Sequence, residues 1–253
     1  RCFHPTRMSA MRSCCRRIAA RALRAWPFFA LALIAPARVS AQTTVSVSGL
    51  ANIYGSGVGT APGGGVTSVE YLLPAGTTAL TFTNVGGSAS FDTNTGAYYP
   101  ADGGTGWGAR TDVSAFNSLS GISHSARTVF LTGVFLDATT PTGAAPATLS
   151  YDVASAGASV FSPLLQQVFF IGDGLDAVST TQVFYAPTGA TRLYLGFADS
   201  WNGSWVAGSP GYYADNGGSL SVTINAVIPE PATVALLLGI GVLATVALRR
   251  RSK

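Results

Sequence analysis

From Gln42 to Ile228 the chain has no cysteine and no lysine, a single histidine, and only one short stretch, Ser162 to Gln167, with the pattern of a helix. Each absence excludes a class of chemistry. Cys2, Cys14 and Cys15 all lie upstream, so this segment has no disulfides, no thiol nucleophile and no thiolate ligands for zinc. His124, within Ile122-Ser123-His124-Ser125, is its sole candidate imidazole base, and no Gly-x-Ser-x-Gly elbow accompanies it. Two carboxylates at suitable separation would serve a glycosidase, but nothing in the acid spacing suggests such a pair. The expectation is a non-enzyme.

Positive charge is equally scarce there. Arg110, Arg127 and Arg192 face ten acids between Glu70 and Asp215, a net charge of −7, whereas the formal +4 of the whole chain comes from its two ends. Nucleic-acid binding depends on neutralising phosphates and is excluded as an expectation. A cation is the better-matched partner.

The ends carry addresses. Arg12, Arg16, Arg17, Arg21 and Arg24 precede the apolar stretch Trp26 to Ala35, and Val39-Ser40-Ala41 supplies small residues before Gln42. This order predicts a signal peptide over 1–41, cut by signal peptidase after Ala41. The chain opens on Arg1, so Met8 or Met11 is the expected initiator. At the other end, Pro229-Glu230-Pro231 is followed by an uncharged apolar run, 232–248, and then by Arg249, Arg250 and Arg251. About 17 apolar residues at ~1.5 Å each are at the short limit for crossing a bilayer, and the arginines mark the cytoplasmic side. The prolines hold Glu230 in an extended segment at the outer face.

This three-part order over 227–253 resembles the PEP-CTERM sorting signal of Gram-negative bacteria. The resemblance implies recognition and removal of the tail by an exosortase, with the inner membrane as a transient anchor. The alternative is an ordinary anchor helix beside a chance Pro-Glu-Pro.

The interior, 42–226, has the pattern of strands. Thr44 to Ser48, Val66 to Tyr71, Thr77 to Thr83, Thr128 to Asp137, Val168 to Ile171, Thr181 to Tyr185, Thr191 to Phe197 and Ser219 to Asn225 are β-branched and aromatic runs separated by Gly, Pro, Asn and Asp. Leu193, Leu195 and Phe197 alternate with Arg192 and Tyr194; Leu220, Val222 and Ile224 alternate with Ser219, Ser221 and Thr223. Period two puts one face in a core. The expected fold is all-β, a single jelly-roll-type sandwich, with Gly55 to Gly65 as a flexible hairpin loop between the first two strands.

Chemistry concentrates late in this domain. A strand ends at Asp199, and Pro210 to Gly218 carries Asp215 and Asn216 among glycines before the next strand. Side-chain oxygens on a backbone that turns tightly are what calcium requires. With Val66-Thr67-Ser68-Val69, Ile171-Gly172-Asp173-Gly174 and Phe184-Tyr185-Ala186-Pro187 upstream, these residues resemble the calcium-dependent galactophilic lectins of the PA-IL type. That likeness implies Ca2+ held by the side chains of Asp199, Asp215 and Asn216 and by the carbonyls of Tyr212 and Phe91. In the family the ion itself grips two sugar hydroxyls.

Trp201 and Trp205, in an insertion after Asp199, either stack on a sugar ring or cap the sandwich edge. Asp173-Gly174-Leu175-Asp176 and Asp102-Gly103-Gly104 read as solvated turns. The expected product is an exported protein of the cell surface or extracellular matrix that binds glycan or exopolysaccharide through calcium. The rival is a structural matrix protein that binds nothing specific.

Overall fold

The computed structural model describes residues 39–105, 110–200 and 208–229, together with Gly239 and Arg249. The chain is mostly β. Strands β1 (Val39–Ser48), β14 (Gly217–Ile228), β5 (Ala79–Ser90), β12 (Val183–Tyr185) and β10 (Val160–Phe161) form one sheet in that order. A second sheet runs β11 (Val168–Phe170), β8 (Thr132–Leu136), β13 (Arg192–Gly196) and β4 (Val69–Leu72). Two smaller sheets join β2 (Ala51–Asn52) to β3 (Val66–Thr67), and β6 (Thr111–Val113), β7 (Ile122–His124) and β9 (Leu149–Tyr151).

Alternation explains which way each strand faces. Leu220, Val222, Ile224 and Ala226 of β14 and Leu80 and Phe82 of β5 are fully buried, as are Leu193 and Leu195 of β13. The two large sheets meet where Phe169 of β11 packs against Phe184 of β12, ring centroids 5.6 Å apart. Phe170 points to the opposite face and meets Tyr151 and His124 of the three-stranded sheet at 5.8 Å each. With both faces covered, β8 is buried at every position, and its period-two signal disappears.

Seven of the eight expected strands are present with shifted bounds, and the eighth, Val66 to Tyr71, divides into β3 and β4 in different sheets. The largest shifts are in β5, which ends at Ser90 rather than Thr83, and in β1, which begins at Val39 rather than Thr44. Five further strands, β2, β6, β7, β9 and β10, have two or three residues each and are too short for any periodicity to register. Three of the ten strand pairings are parallel, which the antiparallel winding expected of a jelly roll does not include.

Two local expectations are corrected. Ser162 to Gln167 is not helical: Pro163 interrupts it, Gln166 has φ +64°, and the Gln167 side chain accepts from the Leu164 N–H at 3.0 Å. The helix α1 is instead Val153–Ala156, started by Asp152, which accepts from the Ser155 N–H at 2.7 Å while Ser155 answers in a capping box. Gly55 to Gly65 is not a hairpin, because the strands it joins, β2 and β3, run parallel. It carries two 3-10 turns and packs against the loop before β14: a Cβ on Gly63 would overlap the Gly211 backbone.

Among the described residues no helix is long and apolar enough to cross a membrane. The expected span 232–248 lies outside them except Gly239, as do Glu230, Pro231, Arg250 and Arg251.

Candidate functional site

After β13 the chain does not stop at the sheet edge. Phe197 donates to the Ala51 carbonyl at 2.7 Å and accepts from the Ile53 N–H at 3.1 Å, which docks the strand's extension on β2. Asp199 follows two residues later. Its N–H donates to the Tyr213 hydroxyl at 2.8 Å, and that hydroxyl donates to the Phe197 carbonyl at 3.1 Å. The Gly211 N–H donates to the Asp199 carbonyl at 3.0 Å. The loop 211–216 therefore wraps the strand end by backbone bonds, and Tyr213, fully buried, is its peg.

This wrapping brings Asp215 and Asn216 to Asp199. Asn216 is buried and its Nδ2 donates to the Gly49 carbonyl at 3.3 Å, tying the β1–β2 turn to the start of β14. Glycine is required there: a Cβ on Gly49 would overlap the Gly217 carbonyl. Three sealed oxygens then lack any hydrogen-bond partner: Asp199 Oδ2, Asp215 Oδ1 and Asn216 Oδ1. Buried polar atoms are satisfied in the great majority of cases, so three unpartnered acceptors where the strand end meets the loop are an exception that makes this the candidate site.

The electrostatics agree. Burial pushes the Asp199 carboxyl up to about 7, and the neighbouring Asp215 adds to the rise; hydrogen bonds from Asn216 and from the Ser200 N–H oppose it. Behind it, burial raises Tyr213, with the charge of Asp199 and the proximity of Tyr54 adding to the rise. The Tyr54 hydroxyl is also sealed and without a hydrogen-bond partner, and burial raises it too.

Two carboxylates and an amide oxygen form an all-oxygen set that suits calcium. Among the described residues no three His, Cys, Asp or Glu side chains converge as a metal site would need, so an ion here would depend on amide and carbonyl oxygens beside the two carboxylates.

The other expected residues divide. Tyr212 sits on the same loop in a left-handed conformation, φ +66°, and the residue is 57% exposed. Phe91 comes directly after β5, one residue beyond the Ser90–Gly217 pair, so it lies at the same end of the sheet; its ring stacks on Tyr99 at 6.2 Å. Trp201 and Trp205 lie outside the described residues. Ala41 stands inside β1, paired with Ala226, and Pro229 is exposed just past β14. Arg249 is helical and exposed. Sequence reasoning missed Tyr213, Tyr54 and the Gly49 carbonyl. Gly49 and Gly65 around Asn52 were a visible signal of close backbone approach, but their partner is more than 140 residues away.

The second acidic cluster behaves differently. Asp102 Oδ1 accepts from the Asp173 N–H, and Asp173 Oδ1 from the Leu175 N–H, both at 2.8 Å. Asp176 accepts from Val178 and Thr180 N–H groups at 3.0 and 2.8 Å and from the Ser159 hydroxyl at 2.7 Å. These are turns, as expected.

His124 is buried between Phe130 and Phe170, its Nδ1 accepts from the Ala126 N–H at 3.1 Å, and burial, aided by Arg127 and opposed by Asp152, lowers it to about 4.

Residues 227–251 match the PEP-CTERM protein-sorting motif. The chain thus carries the C-terminal, membrane-associated signal of exported proteins that are exosortase substrates. No curated protein and no solved structure matches the chain.

Proposed function

We propose that the chain is exported, cut by signal peptidase after Ala41, and sorted by an exosortase to the surface or extracellular matrix of a Gram-negative cell. There its jelly-roll-like domain binds calcium at Asp199, Asp215 and Asn216, and through the ion a glycan or exopolysaccharide. The observation that carries the calcium reading is the trio of sealed, unpartnered oxygens around a carboxyl raised to about 7. Bringing two carboxylates together without a cation costs repulsion and desolvation that a divalent ion offsets. The carbonyls of Tyr212 and Phe91 are the proposed completing ligands. Trp201 and Trp205 are proposed sugar contacts. No catalytic role is proposed.

A second reading is favoured by the sealing of those oxygens. An ion held there braces the loop against β13 and leaves the matrix protein purely structural. A glycan array probed with the processed protein, with and without chelator, separates the two. Calcium-dependent hits support binding through the ion. A calcium-dependent rise in melting temperature without any hit supports the structural brace, and neither response would remove the ion altogether.

A further inference from the structure

The sorting motif begins inside the folded sheet. Its match starts at Val227, the penultimate residue of β14, and Pro229 follows one residue after Ile228. On the β5 side the Val227 carbonyl accepts from the Thr78 N–H at 3.0 Å and from the Thr78 hydroxyl at 3.3 Å. Hydrogen-bonding groups of successive strand residues point to opposite sides, so those of Ala226 and Ile228 point to β1. Their partners there are Ala41 and Val39. Both partners lie on the signal-peptide side of the expected cut. Removing 1–41 therefore strips β14 of three residue pairs, two of them hydrogen-bonded, and vacates the N–H and C=O groups of Ala226 and Ile228 immediately ahead of Pro229.

We propose that this vacated edge is the surface by which the sorting enzyme engages its substrate: an extended segment of the exosortase pairs with Ala226 and Ile228 as an added strand. The inference rests on the reading of the chain as a signal-processed exosortase substrate. The occupant follows from continuity, because the motif the enzyme reads starts in the same residues whose edge is freed. Main-chain pairing suits such a site. Ala226, Val227 and Ile228 carry no charge, while Thr78 holds the strand from its far side and presents it in a fixed extended form. The two removals are thereby ordered, with the signal cut uncovering what the second enzyme needs.

The test is a pulse-chase immunoblot of the full chain in its host with a C-terminal epitope. In one variant, Pro36→Ala and Arg38→Ala create a cut before Val39, and Ala41→Leu blocks the old one. The mature chain then keeps β1 residues 39–41 and caps the edge. A second variant carries Ala41→Pro in place of Ala41→Leu, which also blocks the old cut but removes the N–H that Ala226 would accept. Mass spectrometry of the mature N-terminus verifies both.

Tail removal is expected to slow about tenfold in the first variant, the scale of one or two net hydrogen bonds, and to recover in the second. Equal rates in wild type and the Leu variant overturn the proposal, as does equal slowing in both variants. Failure of the wild type to lose its tail, or unchanged loss after replacing Pro229-Glu230-Pro231 with alanines, would instead sink the sorting reading itself.

Discussion

Two acidic, glycine-flanked loops in this protein look alike in sequence and differ in what surrounds their oxygens. Around Asp102, Asp173 and Asp176, N–H and hydroxyl groups donate to the carboxylates, from within 173–180 and from Ser159. Around Asp199, Asp215 and Asn216 three sealed oxygens have no donor. The difference lies in who supplies the donors. The first loop is closed mainly by its own backbone. The second is assembled from segments far apart in the chain, and the N–H groups of Asp199, Gly211 and Asn216 are engaged by the Tyr213 hydroxyl or by carbonyls.

The sharpest way to break this comparison is to add calcium. An ion bound only by the folded state adds about 2.7 kcal/mol at a hundredfold excess over Kd. For a domain of this size, at about 2–4 °C per kcal/mol, the melting temperature should rise by roughly 5–10 °C over chelator. Asp199→Ala or Asp215→Ala should abolish the rise, whereas Asp173→Ala or Asp176→Ala should leave it intact. Calorimetry of the four variants decides. An equal response in all of them would end the distinction.

Next in size is the glycine contact that seats the second loop. Gly49→Ala should cost about 1–3 kcal/mol, because its Cβ meets backbone rather than a flexible side chain. Since Asn216 hangs on the Gly49 carbonyl, the calcium response should shrink as well. A denaturant melt of this variant with unchanged midpoint and unchanged calcium response would show that the turn does not position the site.

Acidity sharpens the contrast further. The folded carboxyl of Asp199 titrates near 7, above the unfolded value of about 3.9. Its contribution is fully present below the unfolded value and is lost as pH rises through 7, so in chelator the domain should weaken over that window. His124, lowered to about 4 from about 6.5, acts in the opposite sense: its contribution is present above 6.5 and lost as pH falls through 4. Asp199→Asn should flatten the neutral limb and leave the acid one. Melting curves from pH 4 to 8 in chelator would check this, and an unchanged neutral limb would count against a buried Asp199 carboxylate.

The smallest expected effect is at the satisfied loop. Hydrogen bonds from Ser159 and from the Thr180 and Val178 N–H groups hold Asp176 below the usual carboxylate range, and Asp176→Asn should lower stability slightly by weakening them. Calcium should make no difference to that loss. A calcium-sensitive loss would place an ion in the wrong loop.

Much of this was legible along the chain because it is local. Strands with one wet face announce themselves by alternation, as the first half of β14 does; β13 alternates in residue type but is buried from Leu193 to Gly196. The C-terminal address is a contiguous string of charge and apolar character, and the match over 227–251 falls where that order placed it. The helix expected at Ser162 to Gln167 failed because composition does not reveal the positive φ of Gln166, while α1 is only four residues long. The Gly55 to Gly65 loop was misread because parallel pairing of β2 and β3 depends on where β13 lies, not on the loop.

The sequence by itself determined the all-β character, the acidic lysine-free interior, the sorting motif and the candidate status of Asp199, Asp215 and Asn216, since each of these is a matter of residue type and near spacing. Only the tertiary structure decided which acidic cluster keeps sealed oxygens without donors. A carboxylate's partners are chosen by burial and by hydrogen bonds across long separations, such as Asn216 to Gly49 and Tyr213 to Phe197, and these exist only once the sheets have closed.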